Sequence, residues 1–171
     1  MNVYLIGYMA AGKSKLGKEL ADISGLSFVD LDTVFEEKYR IGIFDFFEKY
    51  GDTAFRGIEH QLLLETIDLE NYIISTGGGT PCSEENICFI KAHGTSIYIR
   101  LNAADLASRL KCVKKKRPLL KNIPAEKLEQ FIRDQLSERE PYYLQADHIV
   151  NGPVEDVNDF LEIMKGNIRK D

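Results

Sequence analysis

Cysteine and histidine are scarce, long apolar runs are missing and basic residues are outnumbered, and each shortage removes a class of function. Cys82, Cys88 and Cys112 are an odd set without metal-ligand spacing, and the three histidines lie far from one another in sequence. That argues against a disulfide framework and a Cys/His metal centre. The thiols are expected to be reduced, buried or inert, as suits a cytoplasmic protein. No stretch approaches the ~20 consecutive apolar residues of a membrane span. The apolar start MNVYLIGYMAAGK has no basic residues ahead of it and is interrupted by Lys13, which argues against an export signal. Lys and Arg number 22 against 27 Asp and Glu, a net charge of −5, so the whole molecule repels a nucleic-acid backbone. Any anionic partner has to be held by a local basic site.

What is present is an ordinary globular composition, 44% hydrophobic and 29% charged over 171 residues. A chain of this length fits one domain, residues 1–171, and should bury roughly 70% of the surface exposed when unfolded. It shows no internal repeat, linker or low-complexity segment.

Short, nearly continuous apolar runs at Val3–Ile6, Ser27–Val29, Tyr72–Ser75, Ser96–Ile99 and His148–Val150 read as strands. Between them, helical spacing predicts helices over Lys13–Ser24 (ended by Gly25), Thr33–Tyr39, Ile43–Tyr50, Asp52–Ile67, Glu84–Ala92, Ala103–Leu110, Pro124–Gln145 and Val154–Ile168. This alternation predicts an α/β fold whose parallel sheet is covered by helices on both faces. The lysine-rich stretch Lys111–Asn122, with Arg117 and Pro118, breaks the pattern and reads as an exposed, mobile excursion.

GYMAAGKS, residues 7–14, satisfies G-x-x-x-x-G-K-[ST] between the first strand and the first helix. Closely spaced backbone N–H groups at the positive end of a helix can wrap phosphate oxygens, and Gly7 and Gly12 permit the close approach. Lys13 can reach the β- and γ-phosphates, and the Ser14 hydroxyl can ligate a bridging Mg²⁺. Ala10 is the irregular position. A left-handed backbone there would be strained, so a negative φ is expected.

Asp30 and Asp32 in FVDLD stand two apart at the carboxyl end of the second strand, where ligands bind in open α/β sheets. One carboxylate can hold Mg²⁺ and the other can accept a proton or hydrogen bond from a hydroxyl; equally, Asp32 can simply cap the helix expected from Thr33. Arg56 and Glu59 are three apart on a helix, where they would pair with or without a ligand. Gly77, Gly78 and Gly79 follow the third strand and can turn the chain or let backbone approach a ligand. Arg139 lies between glutamates in SEREPYY, as a surface ion pair or as part of a site.

With the phosphate loop, DLD, FRGIE, TGGG, KRPLL and REPYY in this order, the sequence resembles shikimate kinase along essentially its whole length. The resemblance implies a P-loop kinase fold with a five-stranded parallel sheet in the order 2-3-1-4-5, an acceptor-binding region about 30–60 and a mobile lid about 111–124. It implies transfer of the γ-phosphate of ATP to the 3-hydroxyl of shikimate, in the pathway to aromatic amino acids, by a monomer that uses Mg²⁺. Lys13, Asp32 and Arg117 would be catalytic, and Ser14 and Asp30 would hold the metal. Gly7, Ala10, Ala11, Gly12, Lys13, Ser14, Lys15, Arg109 and Arg117 would hold the nucleotide, with Arg109 against adenine. Asp32, Phe47, Phe55, Arg56, Gly77, Gly78, Gly79 and Arg139 would hold shikimate, its carboxylate gripped by the two planar guanidinium groups. Glu59 would orient Arg56.

This chain departs from the pattern in Ala10, where a further glycine is usual, in Lys15 for threonine, in Asp52 for glutamate and in the lack of an arginine near Asn151. Another small-molecule kinase such as gluconate kinase, or a non-catalytic nucleotide-binding relative, would share the loop. A guanine-nucleotide switch would carry N-K-x-D, which is missing.

Overall fold

A computed structural model describes residues 2–112, 120–153 and 157–166. Strands β1 (Val3–Ile6), β2 (Ser27–Asp30), β3 (Tyr72–Ser75), β4 (Thr95–Arg100) and β5 (His148–Asn151) form one parallel sheet in the order β2-β3-β1-β4-β5. All four residues of β1 are fully buried, as a central strand flanked on both edges and both faces requires. Alternate side chains serve opposite faces: Val3 and Leu5 join one apolar cluster, Tyr4 and Ile6 the other.

The helices are α1 (Lys13–Ser24), α2 (Leu31–Tyr39), α3 (Ile43–Leu64), α4 (Glu84–His93), α5 (Ala103–Cys112), α6 (Leu128–Tyr143) and α7 (Asn158–Met164). Helix α1 ends where Gly25 turns left-handed and donates its N–H to Ala21. Gly51, at φ 81° and ψ 174°, interrupts α3 where two helices are expected from the sequence. The second of these closes in a tight 3₁₀ turn at Glu65–Asp68. A further 3₁₀ turn at Ala125–Lys127 leads into α6, so the α-helix begins later than the sequence pattern suggests. Helix α7 is shorter than the predicted Val154–Ile168, both of whose ends lie outside the described residues.

Helix α2 begins at Leu31 rather than Thr33 because Asp30 is its cap. One Asp30 carboxylate oxygen accepts from the N–H groups of Asp32 and Thr33, at 3.0 and 3.3 Å. The capping role open to Asp32 therefore belongs to Asp30, and Asp32 enters the first turn of the helix. A satellite core of Phe35, Ile43, Phe46, Phe55 and Leu62 locks α2 to α3, with Phe35 and Phe46 meeting edge to face.

No helix among the described residues is long and apolar enough to cross a membrane. The thiols fit their expectation only in part. Cys82, Cys88 and Cys112 are free, but Cys88 and Cys112 are exposed.

Candidate active site

The carboxyl ends of β1, β2 and β3 converge on one crevice, since Leu5 pairs with Ser75 and Ser75 with Asp30. The loop after β1 wraps its mouth. Lys13 is almost wholly buried and donates to the carbonyl oxygens of Gly7 and Tyr8 at 2.7 and 3.0 Å, so the ammonium lies curled over the loop. A cavity of about 320 Å³ opens there, lined by Met9, Ala10, Gly12, Lys13, Ser14, Lys15, Asp30, Asp32, Ser75, Thr76, Gly78 and Arg109. Its cationic groups stand on a chain of net negative charge, the local basic site that the composition demands of any anion-binding function.

Ala10 is the position where the expectation fails. Its φ is +64°, left-handed. The Ala11 N–H turns back to Tyr8 O at 3.2 Å, and one nitrogen of Arg109 donates to the carbonyls of Ala10 and Ala11 at 3.3 and 3.1 Å. Loop closure and the arginine together hold an alanine where glycine is the natural residue. The left-handed region costs alanine ~1–2 kcal/mol, whereas glycine loses ~0.4–1 kcal/mol through its freer unfolded chain. The first term is the larger, so Ala10→Gly is expected to raise the melting temperature by about 1–3 °C. A lower melting temperature would show that the loop relieves the strain in another way.

Ser14 and Asp30 face each other at the cavity, the hydroxyl donating to the free carboxylate oxygen at 2.5 Å. The helix-capping bonds fix the other oxygen and so aim this one. Hydroxyl, carboxylate and phosphate oxygens are the hard donors that Mg²⁺ prefers, so this pair fits that ion. No cluster of three or more acidic, histidine or cysteine ligands occurs among the described residues.

A second, smaller cavity of about 60 Å³ adjoins the first and shares Met9, Asp32 and Gly78 with it. Phe47 and Phe55 form apolar wall, and the Arg56 guanidinium lies 5.9 and 5.4 Å from their ring centres. Arg56 donates to Glu59 at 2.6 Å and faces Asp52 at 3.3 Å, so the substituted Asp52 still reaches the arginine. Arg139 comes from α6, stacks over Tyr8 at 5.4 Å and reaches Gly78 O at 3.5 Å. The Tyr143 hydroxyl donates to the same carbonyl, and burial pushes its pKa well above the usual phenol range, which keeps it a donor. Burial likewise raises the Cys82 thiol, although Arg139 and Arg56 oppose the shift, so Cys82 is a poor nucleophile despite its place beside the site.

The three glycines are needed for space. A Cβ on Gly77 would meet Glu59, Thr80 and Asp32 oxygens at 2.5, 2.8 and 3.0 Å, and one on Gly79 would sit 2.2 Å from an Arg56 nitrogen. The obstruction at Gly79 is the movable tip of a side chain, so the fold can survive while the guanidinium is displaced. Gly79→Ala is therefore expected to change the melting temperature by less than about 2 °C and to raise the KM for a carboxylate acceptor about 10- to 30-fold. An unchanged KM would show that the Arg56 position is immaterial.

The site residues anticipated from the sequence thus collect in two adjoining cavities, except Arg117, which lies outside the described residues, Gly7, which lines neither cavity but accepts from Lys13 through its carbonyl, and Ala11. Ala11 lines a third recess with Gly12, Lys15 and Arg109. Sequence reasoning missed Met9, Ile43, Ser75, Thr76 and Tyr143. Tyr143 was within reach, since it stands four residues after Arg139 and so shares its helix face. Met9 and Ile43 carry no chemical signal.

A family model described as shikimate kinase matches residues 9–165. A shikimate kinase of Parabacteroides distasonis is 44% identical over 144 residues, 84% of this chain and 83% of that protein. Among solved structures, shikimate kinase from Bacteroides thetaiotaomicron superposes with a TM-score of 0.90 at 34% identity, covering 96% of this chain and 98% of that one. The enzyme from Acinetobacter baumannii in complex with shikimate gives 0.88 at 33% identity, covering 99% and 95%.

Proposed function

Because the chain belongs to the shikimate kinase family, we propose that it transfers the γ-phosphate of ATP to the 3-hydroxyl of shikimate, giving shikimate 3-phosphate and ADP. One observation carries this assignment at the level of the site. Arg56, Arg139 and the bare backbone of Gly78 and Gly79 line a small pocket beside the phosphate-loop cavity, and Asp32 borders both. Two guanidinium groups suit an acceptor with a carboxylate, and the aromatic wall of Phe47 and Phe55 suits the face of its carbon ring.

In this reading the carboxylate clamp fixes the acceptor with its hydroxyl toward Asp32, which orients it and takes its proton late in the reaction. Gly7 to Lys15 wrap the phosphates, and the Lys13 ammonium balances the negative charge that spreads over the transferring group. Ser14 and Asp30 would hold Mg²⁺, which supplies further charge neutralisation at the phosphates when bound. The Arg109 guanidinium borders both the phosphate cavity and the recess with Ile99 and Val157, a position compatible with contact to the base.

A coupled ADP-release assay with shikimate, gluconate and nucleoside monophosphates tests the assignment. Turnover is expected with shikimate and not with the others; comparable turnover with another acceptor would overturn the proposed substrate.

A further inference from the structure

The Arg56–Glu59 pair does not end at Glu59. The other Glu59 carboxylate oxygen accepts from the Thr80 hydroxyl at 2.7 Å, and both side chains are buried. The Thr80 carbonyl in turn accepts from the Asn86 side-chain amide at 2.6 Å. That bond fixes the orientation of the Asn86 amide, leaving its oxygen to face His60 Nδ1 at 2.6 Å, which makes Nδ1 the donor of that bond. His60 follows Glu59 in α3, and its second nitrogen lies 3.5 Å from Glu85 on α4. The Ser83 hydroxyl caps α4 by accepting from Asn86 N at 3.2 Å. The bonds therefore run from α3 to the glycine loop, on to α4 and back to α3.

We infer that Thr80, Asn86 and His60 are positioning residues for the substrate carboxylate: they clasp α3 to the glycine loop and set where the Arg56 guanidinium stands relative to Gly79. This rests on the reading of the second cavity as the shikimate pocket. The two parts joined are those that carry the grip, Arg56 on α3 and Gly78 and Gly79 on the loop. Clearance between them is so small that a single methyl group at Gly79 would collide with Arg56. Arg56 has Glu59 and Asp52 as anchors, and of these only Glu59 is buried and held from its far side. Without the Thr80 hydroxyl, Glu59 loses the bond that fixes its rotamer, and Arg56 follows it. The nucleotide cavity contains none of these three residues, so the effect is confined to one substrate.

The test compares Thr80→Val, which removes the hydroxyl at nearly constant volume, with Thr80→Ser, which retains it. With shikimate, Thr80→Val is expected to raise KM about tenfold while kcat and the KM for ATP stay within about twofold, and Thr80→Ser is expected to stay near wild type. With an analogue whose carboxylate is reduced to a hydroxymethyl group, Thr80→Val and wild type should have equal kcat/KM. His60→Phe, at the more exposed end of the chain of bonds, is expected to raise the shikimate KM about threefold with the same sparing of ATP, and it carries the test if Thr80→Val does not fold. Wild-type enzyme that ignores shikimate would reject the substrate itself. If wild type turns over, an unaltered KM in Thr80→Val or His60→Phe, a deficit in Thr80→Ser as large as in Thr80→Val, or a penalty that persists with the alcohol would overturn the positioning role.

Discussion

Lys13→Met is expected to lower kcat by about three orders of magnitude while leaving shikimate binding within about threefold of wild type. Methionine nearly matches the length of the lysine side chain, so the change deletes charge and hydrogen bonds with little change in volume. In the free protein the ammonium satisfies the carbonyls of Gly7 and Tyr8, and among the charged side chains that line the phosphate cavity Lys13 alone is buried. A cation held in a buried loop is worth more to a spreading phosphoryl charge than one in open water, once it exchanges these carbonyl bonds for phosphate oxygens. The acceptor pocket does not include Lys13, which is why the two substrates should respond differently. Binding of shikimate is best followed by calorimetry, since the chain has no tryptophan to report it. A fall in kcat of less than tenfold would remove Lys13 from the catalytic group.

That the phosphate loop could be read from eight residues, while its geometry could not, has a physical reason. G-x-x-x-x-G-K-[ST] specifies which backbone groups approach the phosphate, and strand and helix periodicity place the loop between β1 and α1. The sign of φ at Ala10, however, depends on a contact from Arg109, ninety-nine residues away. No local pattern contains that information. Asp30 shows the same division. The pair DLD marks a site at the end of β2, yet which aspartate caps the helix depends on the pairing of Asp30 with Ser75, which carries the strand through that residue. The clasp of Thr80, Asn86 and His60 was invisible for a similar cause. Its members are 6, 20 and 26 residues apart, and each is an unremarkable polar residue until packing removes water from around it. Arginines 56 and 139 were legible individually as charges and jointly as a carboxylate grip only through the resemblance of the surrounding motifs.

Asp32→Asn is expected to reduce kcat by 10²- to 10³-fold with a shikimate KM within about fivefold of wild type. Since Asp30 caps α2, Asp32 enters the helix in its first turn and borders both cavities, which in the proposed reaction places it where the acceptor hydroxyl meets the γ-phosphate. Asparagine has the same shape, and Asp30 retains the cap, so the melting temperature should stay within a few degrees. What changes is the chemistry of the acceptor atom: a carboxylate can orient the hydroxyl and then take its proton, while an amide oxygen can only orient it. Comparison with Asp32→Ala separates the two contributions. If proton acceptance dominates, the amide and the alanine should be nearly equally slow. If positioning dominates, as a loose phosphoryl transition state allows, asparagine should retain about tenfold more activity than alanine. The carboxylate clamp remains intact in both variants, so a loss confined to KM would instead show that Asp32 serves only to bind the acceptor. Near-normal turnover of Asp32→Asn would remove it from the reaction altogether.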